Sequence, residues 1–332
     1  MSGWQEDPNW SRPSPAGPGN PSGFTPTAMT IADILDLTFK LIKANWKALG
    51  IVTLAFAVPV AVLEATSVAL FGTAGDPFAD LRNPGRGTDN GPNGFELAGA
   101  LGAVGLVYVT SIFVAPLKGI IARLVASSYL GRQMTASEAF AGTRKMFLPM
   151  IGAGIVIGFA KFGGLILICL IFITYPLFAV AFSAVLPILA VEEASLGDAL
   201  RRSWALMKPR FWTYMLTLVI GFVVGEFAGF VVGIIPSIAG LVFAWFDLGA
   251  LRWVADFLAS ASSNLISIPI SAIVATLIYF DARVRYEGFD IQMMAGNTAP
   301  GPQQYPPPPP PPPPTHGGGG GEPGPPPHAG PF

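Results

Sequence analysis

The sequence EEASLGDALRRSWALMKPRFW, residues 192–212, sets the plan that the rest of the chain repeats. Ser195 followed by Asp198 is typical of a helix N-terminus, because the hydroxyl accepts from a free backbone N–H and the acid favours the positive end of the helix dipole. Beyond this cap the apolar positions are Leu196, Leu200, Trp204 and Met207, and the charged positions are Asp198, Arg201 and Arg202. A helix with two such faces is predicted to lie at a membrane surface.

The same plan occurs at two earlier places in the chain. Thr30 with Asp33 and Thr135 with Glu138 repeat the cap, and each precedes an amphipathic stretch and a long apolar segment. We therefore predict three interfacial helices, each leading into a pair of membrane spans as one of three similar units. They cover residues 30–47, 135–147 and 192–212. Any amphipathic helix before a span has this pattern, so a chance likeness is the alternative.

Composition indicates an integral membrane protein. Hydrophobic residues make up 52% of the 332 residues and charged residues only 12%, with a mean hydropathy of +0.55. This mixture departs strongly from that of a soluble domain. A net charge of -1 does not favour nucleic-acid binding. The single cysteine, Cys169, allows no intrachain disulfide and suggests no metal cluster. No cleavable signal is recognisable at the start, so the first span is expected to direct insertion.

The predicted fold class is an all-α integral membrane protein with about six transmembrane helices in three hairpin units, each preceded by a cytoplasmic interfacial amphipathic helix. The spans are predicted at residues 49–71, 97–117, 147–173, 176–191, 212–235 and 264–280. Thr174-Tyr175-Pro176 is predicted to be the turn between spans three and four, because a residue before proline disfavours helix. Span five is expected to stop at Pro236. Residues 238–261 mix aromatic and charged side chains, which favours a helix in the outer interface.

Basic residues beside the spans predict the orientation. With the N-terminus inside, nearly all of them are cytoplasmic, and only Arg82, Arg86 and Arg252 lie outside. The positive-inside rule therefore predicts a multi-pass plasma (inner) membrane protein with both termini in the cytoplasm. Arg201, Arg202, Lys208 and Arg210 are predicted to contact anionic lipid head groups. The alternative is that these four basic residues only set the membrane topology, which would be enough to explain their presence.

The two ends of the chain differ from its middle. Residues 1–28 are rich in Pro, Gly and Ser, and residues 293–332 are rich in Pro and Gly, so both are predicted to be disordered. Residues 29–292 form the membrane domain. The tail contains a proline run at 306–314 and glycines at 317–321, which predicts a polyproline II spacer with a flexible tip. Such a rod can bind an aromatic-lined groove of a protein partner. A solvated tail without a partner is the alternative.

Charged residues inside the spans are the candidate functional site. Lys161 of span three and Glu226 of span five are expected at similar depth near the midplane, where an isolated charge costs a few kcal/mol. We predict that they pair, with Glu64 of span one as a shallower third member. The site could bind a substrate or a proton, or the ion pair could simply fix helix order. Snorkelling of Lys161 to the interface is a further alternative.

Glycines predict where helices pack closely. Gly221, Gly225, Gly229 and Gly233 fall on one face of span five, and Gly154 and Gly158 form a shorter series in span three. Small residues at this spacing let a neighbouring backbone approach. A contact between spans three and five is expected to bring Lys161 to Glu226, with Glu226 turned toward protein and away from lipid. A sliding helix would use the same gap.

Three segments resemble the glycerophosphoryl diester phosphodiesterase membrane-domain family, in particular its stand-alone actinobacterial members with proline- and glycine-rich tails. They are residues 34–46, residues 192–212 with their acid and paired arginines, and the closing motif LIYFDARVRYEGFD at 277–290. The resemblance covers residues 28–292, and the closing motif is its most specific part. It implies a multi-spanning membrane domain that is fused in some members to a soluble phosphodiesterase. That enzyme domain is absent here, so the resemblance implies no hydrolase activity.

The sequence favours a non-enzymatic function. The histidines, His316 and His328, lie in the tail, and no phosphate-binding loop or dinucleotide fingerprint is present. No cofactor and no metal are predicted. The first hypothesis is binding or transport of a small or lipidic substrate at the midplane polar site. The alternative is a membrane scaffold that acts through the interfacial helices and the proline-rich tail. The first requires the midplane charges to line a water-reachable cavity, whereas the second seals them in a pair.

Overall fold

The computed structural model describes residues 28–71, 94–166, 171–246, 248–289, 291 and 324. Its helices, in chain order, are α1 (Ile31–Phe71), α2 (Gly94–Tyr129), α3 (Ala136–Thr143), α4 (Phe147–Ile166), α5 (Ile171–Ser183), α6 (Val185–Glu192), α7 (Leu196–Met207), α8 (Phe211–Trp245) and α9 (Gly249–Glu287). Short 3₁₀ turns, Arg144–Met146 and Lys208–Arg210, precede α4 and α8. The predicted disordered ends, 1–28 except its last residue and nearly all of 293–332, lie outside the described residues.

Within the described residues, five helical segments are long and apolar enough to span a membrane. They are Ile31–Thr66, Tyr108–Tyr129, Ala136–Phe159, Leu196–Trp245 and Gly249–Glu287, and Leu177–Glu192 is a shorter apolar segment. No strand occurs in the described part of the chain. The prediction of an all-α protein with helices that can cross a membrane is therefore confirmed at this level.

The three predicted helix N-termini are confirmed by their hydrogen bonds. In each, the backbone N–H of the acidic residue donates to the hydroxyl of the cap at 3.3 Å: Asp33 to Thr30, Glu138 to Thr135 and Asp198 to Ser195. The backbone N–H groups of Thr30 and Thr135 donate in return to the carboxylates, at 2.8 Å in both cases. Satisfying the free donors at a helix start fixes where each helix begins.

A break separates each capped helix from the apolar helix that follows it. In α1 the break is Asn45, whose φ of -118° and ψ of 19° are not helical. Its amide Nδ2 donates to the carbonyl of Leu41 at 3.1 Å, and its Oδ1 accepts from Ser128 of α2 at 2.9 Å. The 3₁₀ turns play the same part before α4 and α8. Each break lets the chain change direction between the capped helix and the long apolar helix.

Three predicted boundaries are wrong. Thr174-Tyr175-Pro176 lies within α5, which already begins at Ile171, so the predicted turn is placed too late in the chain. A separate break divides α5 from α6 at Ala184, inside the predicted fourth span, and Pro187 falls in the first turn of α6, where it needs no hydrogen-bond donor. The α8 helix continues through Pro236, which apolar helices tolerate when neighbours accommodate the freed carbonyl. Residues 238–261 do not form one outer helix, because they divide between α8 and α9.

The α9 helix is the centre of the bundle. It packs against α8, α1 and α2, and from Ile270 to Ala282 most of its side chains are buried. The α8 helix lies at the edge. It turns its glycines inward and exposes Phe222, Phe227 and Phe230, whose exposed fractions are 55%, 67% and 60%. Large apolar side chains exposed over a whole helix face are unfavourable in water and favourable against lipid.

Candidate functional site

Five side chains form a polar network at one end of the bundle, which we call the α7–α9 network: Glu192, Arg202, Tyr279, Arg283 and Glu287. Nε of Arg202 lies 2.9 Å from Oε2 of Glu192, and its Nη2 lies 2.8 Å from Oε1 of Glu287. The hydroxyl of Tyr279 donates to Glu192 at 2.6 Å and accepts from Nη1 of Arg283 at 3.1 Å. Nε of Arg283 donates to Glu287 at 3.1 Å. The network joins the end of α6 and the middle of α7 to the last turns of α9.

A second cluster surrounds Asp281, whose side chain is only 2% exposed. Its carboxylate accepts from the backbone N–H of Met29 at 2.7 Å, from the hydroxyl of Tyr214 at 3.1 Å and from Nε of Arg285 at 2.9 Å. Nη2 of Arg285 also donates to the carbonyl of Met29 at 2.8 Å. A buried carboxylate needs such donors, and here they hold the residues before α1 against α8 and α9.

The third cluster is an ion pair at the turn between α6 and α7. Glu193 has a φ of 52°, which is unusual for a residue with a side chain. Its Oε1 lies 3.0 Å from Nη1 of Arg123 in α2, and the same nitrogen donates to the carbonyl of Ala190 at 3.3 Å. Glu193 directly follows Glu192, and Asp281 lies two residues beyond Tyr279 on α9, so all three clusters lie at the same end of the bundle. We call this the network end.

The predicted head-group residues fall in two classes. Arg201 and Lys208 are exposed and Arg210 is half-buried. Arg202 is instead engaged by Glu192 and Glu287 inside the protein, so its guanidinium faces carboxylates rather than lipid. The sequence pattern could not separate neighbouring arginines of one helix because the carboxylates that select Arg202 come from distant parts of the chain.

The predicted apolar face of α7 packs on the bundle except at Trp204: Met207 is buried, and Leu196 and Leu200 pack against the core. Trp204 is 40% exposed, whereas Ala199 and Ser203 are buried. The hydroxyl of Ser203 donates to the carbonyl of Ala181 at 2.6 Å. Small side chains let α7 approach α5 closely, and this contact turns Trp204 outward.

Glu64, predicted as the shallow member of a charged triad, is bound by α9. The hydroxyl of Ser260 donates to its Oε2, and Nδ2 of Asn264 donates to the same oxygen at 3.1 Å. Asn264 also donates to Ser260 at 3.2 Å. These three side chains form a polar contact between α1 and α9, away from the network end.

The expectation that Glu226 faces protein is wrong. Glu226 lies on the exposed face of α8, between buried Gly225 and exposed Phe227. Its position follows from the glycine seam, because the seam packs on α9 and leaves the next residue pointing away. The side chain of Lys161 lies outside the described part of the structure, so its pairing with Glu226 stays a prediction.

The glycines lie in two separate packing seams. Those of α8 face α9, with Gly221 against Val274, Gly225 against Ile270, Gly229 against Ser263 and Gly233 against Ala259. Those of α4 face α2, with Gly154 against Ile112 and Ala115, and Gly158 against Tyr108. The expected glycine contact between spans three and five is therefore wrong, because each seam already has another partner helix.

A cavity of about 340 Å³ lies between α2, α4, α5, α6, α8 and α9. Its lining is mainly apolar and includes Val114, Phe178, Leu186, Met215, Leu218 and Phe222. Polar groups come from Thr110, Ser111, Ser183 and Ser271. Of the described residues that line the cavity, Lys118 is the one with a charge. An apolar space with a few polar groups is the usual form of a small-molecule site.

The cavity has two distinguishable ends. Lys118 precedes Gly119, which lies against Met150 in the first turn of α4, so the lysine is close to the network end. Thr110 is eight residues earlier on α2, about 12 Å away at 1.5 Å per residue. Ile157 and Phe222 line the cavity as well and stand well inside α4 and α8. The cavity thus extends from a basic end toward the middle of the apolar helices.

The cavity opens on the side of the bundle. Ala179 of α5 and Val219 and Phe222 of α8 line it and are also exposed on the apolar surface. Val219 is 47% exposed. Among the described residues, the ones at this opening between α5 and α8 are apolar, so a molecule dissolved in a lipid phase could enter there.

Sequence reasoning missed this cavity. Its lining comes from six helices, and their side chains are ordinary apolar residues with no recognisable spacing. The available signal was Lys118, a basic residue at the end of a predicted span, which the positive-inside rule already explains. The closing motif at 277–290 was recognised, but its contribution to the two polar clusters requires contacts across the fold.

The fold and this cavity define an all-α protein whose helices are long and apolar enough to span a membrane. Comparison with protein-family models, curated proteins and solved structures finds no match. Among the described residues, no group of three or more His, Cys, Asp or Glu side chains is arranged to hold a metal ion.

Proposed function

We propose that this chain is a non-enzymatic multi-pass membrane protein that binds a lipid-like amphipathic ligand in the lateral cavity. The observation that carries the proposal is the cavity between α5 and α8, with its apolar lining, its lateral opening and Lys118 at one end. Its volume of about 340 Å³ lies in the lower part of the range for ligand sites, roughly 300–1,000 Å³.

The lining favours binding over catalysis. The described lining residues offer hydroxyls and one ammonium, but no carboxylate, imidazole or thiol that would serve as general base or metal ligand. Such a lining buries apolar surface of the ligand, which contributes about 25 cal/mol of favourable free energy per Å² buried. This supports binding or transfer of an intact ligand.

The topology proposed with this function has six crossings, with α5 and α6 together forming the fourth. The network end faces the cytoplasm, because Lys43, Lys145 and Lys208 are exposed there. In this topology the protein lies in the plasma membrane, and both termini lie in the cytoplasm. Labelling Ser137→Cys with an impermeant thiol reagent in intact and opened cells, on a Cys169→Ala background, tests this orientation: protection in intact cells supports it.

The resemblance to the phosphodiesterase membrane-domain family is consistent with this proposal. The residues of its closing motif include Tyr279, Asp281, Arg283, Arg285 and Glu287, which form the two polar clusters. We propose that the motif stabilises the network end and does not react with substrate.

Native mass spectrometry tests the proposal with a matched pair of variants. Val219→Trp adds bulk at the mouth of the cavity, whereas Val223→Trp adds the same bulk one turn along α8, outside the lining. We expect wild type and Val223→Trp to retain a specific amphiphile after gentle extraction and Val219→Trp to lose it. Equal retention by both folded variants would contradict the proposal.

A scaffold role is the second candidate, favoured by the surface of α1. Phe39 and Trp46 are 51% and 63% exposed beside Lys43 and Lys47, and Nζ of Lys47 lies 5.5 Å from the Trp46 ring centroid. Aromatic and basic side chains together favour an anionic membrane surface. Deleting residues 293–332 tests whether the tail recruits a protein partner: loss of a specific copurifying protein would support the scaffold.

A further inference from the structure

We infer that the ligand of the lateral cavity is a single-chain amphiphile with an anionic head group, bound with its head at Lys118 and its chain along α2 toward Thr110. This inference rests on the proposed function and specifies its ligand. The inference follows from the charge of Lys118, its depth in the membrane and the volume of the cavity.

Charge selects the head group. Lys118 supplies positive charge to an otherwise uncharged described lining. A carboxylate or a phosphate accepts hydrogen bonds from an ammonium, and such charge-assisted bonds are roughly twice as strong as neutral ones. A neutral or cationic head group would gain nothing comparable from Lys118.

The depth of Lys118 relative to the membrane interface sets the orientation of the bound amphiphile. Gly119 lies against Met150, four residues into α4, and Met215 lines the cavity five residues into α8. Both helices start there from 3₁₀ turns that carry basic residues, which places this end near a membrane interface. A head group at Lys118 therefore sits at the depth of the lipid head groups, and its chain points toward the bilayer centre.

Size limits the ligand to one chain. The cavity of about 340 Å³ lies near the lower bound of small-molecule sites. The distance from Lys118 to Thr110 is about 12 Å along α2. The hydrocarbon part of one membrane leaflet is thicker, about 15 Å. The remainder of a long chain would leave through the mouth beside Val219, where it meets lipid.

A competition experiment on the full chain in nanodiscs of neutral lipid tests the inference. A fluorescent single-chain fatty acid serves as the probe, and palmitate, 1-palmitoyl lysophosphatidate, hexadecanol and dipalmitoyl phosphatidate are the competitors. We expect the two single-chain anions to compete at least on the order of tenfold better than hexadecanol, the ratio that a charge-assisted hydrogen bond gives. The ranking of palmitate and lysophosphatidate then distinguishes a carboxylate from a phosphate source.

Lysine variants supply the control. Lys118→Met should remove the preference for anions, Lys118→Arg should keep it, and Lys145→Met should leave it unchanged because Lys145 is exposed and outside the lining. Thermal unfolding of each variant confirms that the fold is intact.

The outcomes separate this inference from the proposed function. If hexadecanol competes as well as palmitate and Val219→Trp still abolishes binding, the cavity binds amphiphiles and the charge assignment is overturned. If phosphatidate competes best, the single-chain assignment is overturned. If no competitor displaces the probe from a saturable site in wild type, both the inference and the proposed function are overturned.

Discussion

The hydroxyl of Tyr279 in α9 donates a 2.6 Å hydrogen bond to Oε1 of Glu192 at the end of α6, across 87 residues of the chain. Tyr279 is fully buried and the same hydroxyl accepts from Arg283, so one oxygen connects an acid and a base of the α7–α9 network. This bond holds the end of α6 against the central helix.

Removing that hydroxyl should destabilise the protein. We expect Tyr279→Phe to lower the free energy of unfolding by about 1–3 kcal/mol, because Glu192 and Arg283 each lose a partner in a buried site. Tyr286→Phe is the matched control, since Tyr286 is 42% exposed on the same helix. Thermal unfolding in one detergent measures both. Equal midpoints for the two variants would show that the bond contributes nothing.

Arg202 and Arg201 should respond differently to the same substitution. Breaking a buried ion pair costs about 3–5 kcal/mol, and Arg202 is partly exposed, so we expect a smaller loss of about 2 kcal/mol for Arg202→Gln. Arg201→Gln, at an exposed position, should change stability by less than about 0.5 kcal/mol. Chemical denaturation of the two variants measures the difference, and a larger effect at Arg201 would contradict the network.

Asp281→Asn should release the start of the chain. The amide no longer offers a charge to Arg285 or two acceptor oxygens to Met29 and Tyr214. We expect faster hydrogen exchange over residues 29–37 and a lower unfolding midpoint. Asp36→Asn is the control, because the pair that Asp36 makes with Lys40 is exposed. Unchanged exchange at Met29 in Asp281→Asn would rule out this tether.

One glycine from each seam, Gly154 of α4 and Gly225 of α8, should respond differently to alanine. A Cβ at Gly154 would lie 2.9 Å from Cα of Ile112, a backbone atom that cannot move aside, so Gly154→Ala should cost about 1–3 kcal/mol. At Gly225 the nearest atom would be 3.4 Å away, which is an ordinary contact. Gly225→Ala should therefore be neutral or stabilise the helix by up to about 1 kcal/mol. Gly50→Ala, with open space around it, is the control for helix propensity. The reverse order for Gly154 and Gly225 would refute the observed seams.

The sequence predicted those features that depend on neighbouring residues. The caps at Thr30, Thr135 and Ser195 were recognised because the hydroxyl and its acid are three residues apart. The glycine series of α8 was recognised as a packing face because its period matches the helix. Its partner was misassigned, since nothing in the glycines themselves distinguishes α9 from α4 as the neighbour.

The candidate site shows the same limit. The pairing of Lys161 with Glu226 depends on similar depth and on an expected glycine contact between spans three and five, and neither determines the direction in which a helix faces. Glu226 is exposed because Gly225 and Gly229 turn toward α9. The cavity and the α7–α9 network bring together residues far apart in the chain, such as Arg202 and Glu287, whose contact no local pattern predicts.

Mapping a bound lipid by photo-crosslinking tests the central claim most directly. A fatty acid with a diazirine on its chain is bound to the full protein in neutral nanodiscs, photolysed, and located by peptide mass spectrometry. We predict adducts on the cavity segments around Val114, Phe182 and Leu218, displaced by excess palmitate and absent from Val219→Trp but present in Val223→Trp. Adducts spread over exposed residues such as Phe227 and Phe230, with no displacement by palmitate, would show that lipid only coats the surface and would contradict a ligand site in the cavity.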